Sequence, residues 1–489
     1  MNSAVGRLLS AAERYLQWVM KYNYKIITFA LTLIFWAAAS ASGDEVDGYI
    51  ETQIRNLHIP GLSLAVVRDG RVVKAKGYGL ANIEANSAAT PKTVYEIGSV
   101  SKQFAAAAVM MLVEEGKIGL DDQLTKYFAD APRAWNQISV RHLLTHTSGI
   151  QNHVAVPGYL KIFKTDITFE TVPAREEILK EFFKLPLEFA PGETWAYDNT
   201  GYCLLGLIIE KASGKSYYQF LDERIFKPLG MNATRSTDPR PVVPNRAAGY
   251  EWVKDKYENR PILLPNVAFS AGAIVSTVED MAKWDAALYT EKLLKKSSLE
   301  QMWTAARTND GAPASFNYGF GWFLDNYHGH RIILHAGGTP GFSSVIHRFT
   351  DDKLTVIILC NHSDRFLDQL AIDVAGMYVP ALKRTEGKTD PDPKTTEKLK
   401  ETMSNLMKGK HDADSFAPPM RIFLNTSTGK GFWQWTAHHG ALTSFTFSDR
   451  EDAGDGYLLR YKVGLGGNPY WFSFKLMKTD GKIAQIYNF

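Results

Sequence analysis

The chain has 489 residues, of which 45% are hydrophobic and 22% are charged, the composition of an ordinary globular protein. This length exceeds what one compact core normally holds, so we expect two domains and a linker. A net charge of +3 gives no reason to expect nucleic acid as a partner. The two cysteines, Cys203 and Cys360, are flanked by apolar residues, which favours two buried thiols over a disulfide.

The N-terminal region has the pattern of an export signal over residues 1–41. Two lysines precede an apolar run that ends in the small-x-small sequence Ala-Ser-Ala, with Ala41 as its last residue. The run is short for a bilayer span, so cleavage near Ala41 is favoured over a membrane anchor. We therefore expect an exported protein, periplasmic or secreted, with no stable membrane span after cleavage and with Met20 as a possible true start.

After residue 44 the first regular element is a predicted β-hairpin. Two apolar stretches, 61–68 and 71–77, flank Asp69-Gly70, a dipeptide typical of tight hairpin turns. The segment from Phe104 to Val113 is apolar on every side, which indicates a buried helix. Helix and loop patterns then dominate from about residue 120 to 320.

Three strand patterns follow, at 331–337, 342–349 and 354–360. Strands at both ends of a region with helices between them predict one antiparallel sheet flanked by helices, with a mostly helical insertion. We assign residues 44–385 to this α/β domain of the α+β type.

The remaining chain is predicted to be a linker followed by a small accessory domain. Residues 386–419 combine a stretch rich in Lys, Thr, Asp and Pro with a helix near 395–407. From 420 to 489, strand patterns separated by Gly, Asn and Asp turns predict a small β-rich unit of α+β type. Its alternating aromatic residues, such as those at 432–435, are interpreted as the packed face of a sheet.

The pattern with the clearest chemistry is Ser99-x-x-Lys102, at the start of the buried helix. Three residues is nearly one helical turn, so the hydroxyl and the amine project from the same face. A serine hydroxyl needs a neighbouring base, and a lysine whose pKa is lowered by burial can be that base. A second match, Ser427-x-x-Lys430, lies in a predicted polar turn with no helix after it, so we do not expect it to be catalytic.

A second motif, Tyr197-Asp-Asn199, offers further groups that such a site needs. A tyrosine between two cations has a lowered pKa and can act as a base, then return the proton to the leaving group. Asn199 can hydrogen-bond Lys102 and the acyl side of a substrate. The same spacing recurs at Tyr257 and Asn259, but that stretch is highly charged and is predicted to be a solvated loop.

The third motif is His335-Ala336-Gly337 on the first late strand, followed by Gly338. Glycine at this place lets a substrate backbone approach the edge of a sheet. It also leaves a backbone N–H free to act as an oxyanion donor, paired with the N–H of Ser99. We therefore include His335, Gly337 and Gly338 in the predicted site.

In this order and spacing, the three motifs resemble those of the serine β-lactamase-related hydrolases. That superfamily includes class C β-lactamases, D-Ala-D-Ala carboxypeptidases, D-aminopeptidases and β-lactamase-like esterases. The likeness covers about residues 45–365, implies a β-lactamase/transpeptidase-like fold, and extends to four phrases between the motifs: Leu143-Leu-Thr-His-Thr-Ser-Gly, Lys227-Pro-Leu-Gly-Met, Ser270-Ala-Gly-Ala and Tyr318-Gly-Phe-Gly-Trp. It implies these roles: Ser99 as acylated nucleophile, Lys102 and Tyr197 as proton carriers, Asn199 as their orienter, His335 opposite the serine, and the Gly338 N–H in the oxyanion hole.

One departure from the superfamily bears on the substrate. Its third motif is usually K-T-G or K-S-G, in which the lysine attracts a substrate carboxylate and the hydroxyl adds a hydrogen bond. His335 is mostly neutral near pH 7 and Ala336 has no hydroxyl. We therefore expect an exported serine hydrolase that acts through an acyl-enzyme on an ester, amide or peptide bond. The alternatives are a β-lactamase or penicillin-binding D-Ala-D-Ala carboxypeptidase and, from another class, a non-hydrolytic cell-wall or peptide-binding protein.

No cofactor or metal is predicted, and the expected partner is a small-molecule or peptide substrate. His142 and His146 have the spacing of helical metal ligands, but the glutamate of the metalloprotease motif is missing. The segment around them is therefore interpreted as a structural turn. Spacing leaves open whether Lys102 or Tyr197 is the general base, and it does not predict the oligomeric state.

Overall fold

The computed structural model describes residues 45–156, 174–261, 265–363, 367–384 and 388–488. The predicted export signal lies outside these residues. Contacts within the chain divide it into two units, Met1–Gln53 and Ile54–Phe489. Residues 45–56 form helix α1, and the other elements described below lie in the second unit. Within the described residues, no helix is both long and apolar enough to cross a membrane.

The second unit contains both strands and helices. The strands are β1 (Gly61–Arg68), β2 (Arg71–Asn82), β3 (Ser87–Ala88), β4 (Tyr95–Glu96), β5 (Arg235–Ser236), β6 (Gly249–Val253), β7 (Lys256–Arg260), β8 (Ile274–Ser276), β9 (Phe323–Tyr327), β10 (His330–Thr339), β11 (Phe342–Phe349), β12 (Leu354–Cys360), β13 (Leu442–Asp452), β14 (Gly456–Leu465), β15 (Asn468–Met477) and β16 (Ile483–Asn488). The helices are α2 (Lys102–Glu114), α3 (Val140–Leu144), α4 (Arg175–Phe182), α5 (Asn199–Ser213), α6 (Tyr217–Leu221), α7 (Lys227–Leu229), α8 (Pro265–Gly272), α9 (Val278–Ala287), α10 (Lys296–Met302), α11 (Leu367–Tyr378), α12 (Pro393–Met407), α13 (Pro418–Asn425) and α14 (Ser427–His438).

The main sheet has seven strands in the order β3-β2-β1-β12-β11-β10-β9. Strand β1 pairs antiparallel with β12, in register from Leu62 opposite Cys360 to Arg68 opposite Leu354. The predicted sheet, built from the two ends of a long region, is thereby confirmed. The predicted hairpin is also confirmed, and its turn residues Asp69 and Gly70 both have positive φ, as a tight hairpin turn requires.

Helix α2 is the centre of the helical part. Its residues from Lys102 to Leu112 are all buried, because α2 packs against α5 and α8 and has no solvent-facing side to carry polar residues. A single 3₁₀ turn, Gly98–Ser101, precedes α2 and contacts β10 and β11. The start of this buried helix therefore lies directly at the main sheet. Cys203 in α5 and Cys360 in β12 are both buried, and they do not form a disulfide, as expected.

The C-terminal part combines helices α12 to α14 with a four-stranded antiparallel sheet in the order β13-β14-β15-β16. The helix expected near 395–407 is confirmed as α12. The strand prediction for 420–438 is wrong, because α13 and α14 are helices and the aromatic residues at 432–435 lie on α14. Thr426 begins α14 by accepting a hydrogen bond from the N–H of Gly429. The predicted domain limits at 385 and 419 stay a prediction.

Two further local expectations are wrong. Ser427 and Lys430 lie in the first turn of α14 rather than in a polar turn without a helix. The charged stretch Lys256–Arg260 is not a loop but strand β7, which pairs with β6. Its charged side chains remain on the surface. Composition alone therefore does not distinguish this exposed hairpin from a solvated loop.

Candidate active site

Ser99 lies in the 3₁₀ turn that leads straight into α2 at Lys102. This continuous turn places Lys102 Nζ 3.1 Å from Ser99 Oγ. Gly98 has a φ of +49°, and a Cβ at this position would lie 2.7 Å from the backbone nitrogen of Gly338. The turn can therefore approach β10 this closely only because residue 98 is glycine.

The Lys102 amine has two further partners, and both are obligate acceptors. Its Nζ lies 2.8 Å from Asn199 Oδ1 and 2.8 Å from the carbonyl oxygen of Ala271. Burial lowers the pKa of Lys102 to about 7, so a large share of the amine is neutral at neutral pH. A neutral amine has two N–H groups and one lone pair. The two acceptors engage both N–H groups, and the lone pair is left facing Ser99.

Two groups that the sequence did not identify hold this arrangement in place. The side-chain nitrogen Nδ2 of Asn199 donates to Asn152 Oδ1 at 3.3 Å, which turns Asn199 Oδ1 toward Lys102. Asn152 Oδ1 also accepts from the backbone N–H of Asn199 at 3.2 Å. The carbonyl of Ala271 comes from α8, two residues after Phe269, whose φ of +39° is rare for a side chain of this size.

Tyr197 lies over the lysine, with its ring centroid 4.7 Å from Lys102 Nζ. Burial raises the pKa of Tyr197, and interaction with the Ser99 side chain offsets only part of that rise. The expectation of a lowered pKa is therefore wrong, because the tyrosine is desolvated and is not held between two permanent cations. Because its pKa is raised, the hydroxyl of Tyr197 stays protonated beside Ser99.

His335 is neutral, and both of its nitrogens are engaged within the protein. Nδ1 lies 2.6 Å from the carbonyl oxygen of Ala336 and must donate to it, so Nε2 accepts from the hydroxyl of Tyr318 at 3.0 Å. Burial and the nearby Lys102 lower the pKa of His335 to about 3. The third motif therefore supplies no positive charge at neutral pH. Tyr318, which fixes the imidazole, comes from the Tyr-Gly-Phe-Gly-Trp phrase of the sequence.

The glycines of the third motif let β10 pack closely against the turn that carries Ser99, so that the N–H groups of Ser99 and Gly338 lie on neighbouring segments. A Cβ on Gly337 would lie 2.1 Å from the carbonyl oxygen of Ile97 and 2.9 Å from the nitrogen of Ser99. The nitrogen of Gly338 lies beside Gly98, one residue before Ser99. Ser344 Oγ donates to the same Ile97 carbonyl at 2.8 Å and so ties β11 to the turn. The predicted pair of amide donors, Ser99 and Gly338, thus lies on two elements in direct contact.

The two histidines of the central phrase do not act together. Nδ1 of His142 accepts from the N–H of Ser139 at 3.2 Å, whereas Nδ1 of His146 accepts from the N–H of Asp198 at 3.0 Å. No group of potential metal ligands is found among the described residues. The His146 ring centroid lies 4.4 Å from that of Tyr197, so the turn that contains His146 packs against the tyrosine ring. The sequence indicated only the turn.

Neither of the two repeated patterns forms a second serine–lysine or tyrosine–asparagine site. Tyr257 is on the exposed hairpin, and the neighbouring Asn259 donates to Glu84 at 2.7 Å. The hydroxyl of Ser427 donates to Glu188 Oε2 at 3.1 Å, so it is paired with a carboxylate and not with an amine. Of the predicted residues, the structure brings together Ser99, Lys102, Tyr197, Asn199, His335, Gly337 and Gly338.

A cavity of about 530 Å³ opens at Ser99. It is bounded by Tyr197 and by β10, and it continues to residues of the C-terminal part, including Phe432 and Trp435 of α14. Most of its lining is apolar or aromatic. The described residues that line it include the carboxylates Asp325 and Asp368 but no lysine or arginine.

Comparison of the sequence with known proteins gives consistent matches. The family model described as Beta-lactamase matches residues 46–376. Penicillin-binding protein 4* of Bacillus subtilis is 32% identical over 312 residues, which cover 60% of this chain and 66% of that protein. Protein flp of Staphylococcus aureus is 29% identical over 343 residues, which cover 67% of this chain and 65% of that protein. The match therefore spans just under two thirds of each relative.

Solved structures with the same fold extend this likeness. The octameric penicillin-binding protein homologue from Pyrococcus abyssi has a TM-score of 0.59 and 25% identity, and the match covers 89% of this chain and 96% of that one. The D-amino acid amidase from Ochrobactrum anthropi, complexed with L-phenylalanine amide, has a TM-score of 0.59 and 25% identity, with 70% and 98% covered.

Proposed function

We propose that this chain, which belongs to the β-lactamase family, is a serine hydrolase that cleaves an ester, amide or peptide bond through a covalent acyl-enzyme. The observation that carries the proposal is the buried Lys102 amine, whose pKa is lowered to about 7 and whose Nζ lies 3.1 Å from Ser99 Oγ. A protein that only binds a ligand has no need for a serine with a base beside it.

The first chemical step follows from the contacts of Lys102. The amine accepts the proton of the Ser99 hydroxyl while Oγ forms a bond to the substrate carbonyl carbon. Asn199 and the Ala271 carbonyl hold the amine in place and stabilise the ammonium that forms. Because burial raises the pKa of Tyr197 and lowers that of Lys102, we assign the role of general base to Lys102.

The remaining groups act on the tetrahedral intermediate. The N–H groups of Ser99 and Gly338 donate to its oxyanion, and they are aimed before the charge develops. The protonated hydroxyl of Tyr197 donates to the leaving-group oxygen or nitrogen and is reprotonated from Lys102. Water then attacks the acyl carbon while the Lys102 amine accepts its proton, and the ammonium returns that proton to Ser99 Oγ as the Oγ–acyl bond breaks and the acid is released. His335 takes no proton in this scheme; it fixes the start of the Ala336–Gly338 edge.

The charge of the cavity favours substrates without a free carboxylate next to the cleaved bond. Among the described residues, its lining combines neutral His335 with Asp325 and Asp368, and it has no lysine or arginine. A carboxylate placed there would find no lysine or arginine among the described lining residues to pair with. We therefore favour an esterase or amidase over a carboxypeptidase. The D-amino acid amidase among the structural neighbours is consistent with this choice.

The second candidate is a β-lactamase or a penicillin-binding D-Ala-D-Ala carboxypeptidase. The names of two relatives, penicillin-binding protein 4* and the Pyrococcus abyssi homologue, favour it. Turnover of nitrocefin compared with that of p-nitrophenyl acetate separates the two candidates. A much larger kcat/KM on the β-lactam would overturn the esterase or amidase assignment.

Labelling with a fluorophosphonate probe tests the hydrolase proposal itself. We expect the wild-type protein to be labelled and the Ser99→Ala variant to remain unlabelled. Ser427→Ala is the matched control, because it removes the serine of the other S-x-x-K pattern and should label like the wild type. Equal labelling of wild type and Ser99→Ala would remove Ser99 from the role, and no labelling of the wild type would favour a binding protein.

We also propose that the chain is exported, on the strength of the lysine-flanked apolar run that ends at Ala41. N-terminal sequencing of the mature protein from the periplasm or the medium should begin just after this residue. A full-length protein in the cytoplasmic fraction would contradict export.

A further inference from the structure

The cavity at Ser99 is long, and most of its lining is apolar. On β10, Ile332, Leu334, Ala336 and Gly338 alternate along one face of the strand and all line it. At the rise of an extended strand, the distance from Ile332 to Gly338 is about 20 Å. The space beside the proposed nucleophile is therefore much longer than an acetyl group needs.

One wall of this cavity is a cluster of aromatic rings from three parts of the chain. The ring of Trp195 lies 4.4 Å from that of Phe316, and Phe316 lies 5.0 Å from Phe423 of α13. Phe323 at the start of β9 completes the cluster, 6.0 Å from Trp195. Because Trp195 is only two residues before Tyr197, this wall begins next to the reacting groups.

A second aromatic part of the lining comes from α14. Phe432 and Trp435 are three residues apart, so they share a helix face, and both line the cavity. Between them in sequence, Trp433 is buried in the hydrophobic core and Gln434 is exposed to solvent. The helix therefore presents two large aromatic side chains to the cavity while its other faces serve packing and solvation.

Hydrogen bonds fix α14 and α13 relative to the active site. The hydroxyl of Thr428 donates to the carbonyl oxygen of Tyr197 at 2.8 Å. At the start of the same helix, Ser427 donates through its N–H to Glu188 Oε1 at 2.6 Å. The hydroxyl of Thr194 donates to the carbonyl oxygen of Pro419 at 2.8 Å, which holds α13. The C-terminal helices are thus fastened to the segment that carries the proposed catalytic tyrosine.

We infer that the C-terminal helices form the acyl-binding wall of the active site and that the substrate has a long or bulky, uncharged, apolar acyl group. This inference rests on the proposed hydrolase function and adds the substrate class to it. An apolar acyl chain replaces water along two aromatic walls, whereas a charged chain would have to be desolvated among them without a cation. The C-terminal part is then a component of the active site and not an accessory to it.

The test compares kcat/KM for p-nitrophenyl octanoate and p-nitrophenyl acetate in the full-length protein. The wild type should prefer the octanoate, and Trp435→Ala should lower the octanoate-to-acetate ratio about tenfold or more. Phe432→Leu is a milder second variant, which keeps an apolar residue in α14 and should lower the ratio in the same direction. Gln434→Ala, on the solvent-facing side of the same helix, is the matched control and should keep the wild-type ratio.

The outcomes separate this inference from the hydrolase proposal, because fluorophosphonate labelling of Ser99 is measured on the same samples. Labelled variants with an unchanged or higher octanoate-to-acetate ratio would overturn the acyl-wall inference alone. A labelled wild type that prefers acetate would do the same. Absence of labelling in the wild type would overturn the hydrolase proposal, and the inference would fall with it.

Discussion

The pH dependence of acylation is the sharpest consequence of the buried lysine. Burial lowers the pKa of Lys102 from 10.5 to about 7. A general base acts only in its unprotonated form, so activity should rise with pH as the ammonium loses its proton. We expect kcat/KM to rise through an apparent pKa near 7 and to level off above it.

The size of this effect can be derived from the shift. A lysine with the ordinary pKa is neutral at pH 7 in roughly one molecule in three thousand, whereas a pKa of about 7 makes about half of the molecules neutral. Burial therefore raises the concentration of the active form about a thousandfold. Below the apparent pKa, kcat/KM should fall about tenfold for each pH unit.

The assay is steady-state hydrolysis of p-nitrophenyl octanoate over about pH 5 to 9, since kcat/KM reports the free enzyme. Lys102→Arg should lose about two to four orders of magnitude of activity, because a guanidinium stays charged over this pH range. It should also lose the rise of kcat/KM near pH 7, which is the limb of the pH profile assigned to Lys102. The two histidines whose rings contact Tyr197, His146 and His335, do not compete for the assignment. The pKa of His335 is lowered to about 3, and that of His146 is lowered well below its usual value.

Asp198 is the group that needs a control, because burial raises the pKa of this carboxyl to about 7 as well. Asp198→Asn keeps a residue that can begin α5 and removes the titration. The carboxylate also raises the pKa of Lys102, so its removal should move the limb to lower pH without abolishing it. Loss of the limb in Asp198→Asn would assign it to the aspartate and refute Lys102 as the titrating base.

Two further substitutions test the supports of the site and the core. Thr428→Val removes the hydrogen bond to the Tyr197 carbonyl and should lower kcat about tenfold with little change in KM. Thr428→Ser keeps the hydroxyl and should retain the wild-type kcat. An equal loss of kcat in Thr428→Ser would contradict the positioning role. Asp285→Ala leaves the fully buried Arg348 without its carboxylate and should cost about 3–5 kcal/mol of unfolding free energy in urea. Removing the exposed Asp121 should cost less than about 1 kcal/mol, and equal losses would contradict this account of the core.

The main sheet and the nucleophile could be predicted because their information is local. The hairpin over 61–77 consists of two apolar stretches on either side of Asp69-Gly70, and the helix after Ser99 is apolar on all sides. Antiparallel pairing of the early and late strands follows once the helices lie between them. The spacing Ser99-x-x-Lys102 fixes one contact by helix geometry alone, and that contact is the one observed.

The C-terminal helices could not be predicted in the same way. Phe432, Trp433 and Trp435 alternate well enough for a strand, and the same residues also satisfy the three-residue spacing of a helix face. Two glycines, Gly429 and Gly431, lower the intrinsic helix propensity of this stretch. Packing of the aromatic residues against the rest of the fold decides between a strand and a helix. This packing involves residues distant in the sequence, so the local pattern does not predict it.

The roles of the groups that support the site could not be predicted from sequence patterns. Ala271 contributes only its backbone carbonyl, and Thr428 donates to the backbone carbonyl of Tyr197. The side chain of Asn152 accepts from Asn199, which is more than 40 positions away in the sequence. The direction of the pKa shift of Tyr197 depends on how completely the ring is desolvated, which only the packed structure determines.

Capture of the acyl-enzyme is the most direct measurement of the proposed chemistry. The protein is mixed with p-nitrophenyl octanoate, quenched in acid within the first turnover, and analysed by intact mass and peptide mapping. We expect a single added octanoyl group on the peptide that contains Ser99, and none in the Ser99→Ala variant. Turnover without any adduct, or an adduct on another residue, would contradict the assignment of Ser99 as the nucleophile.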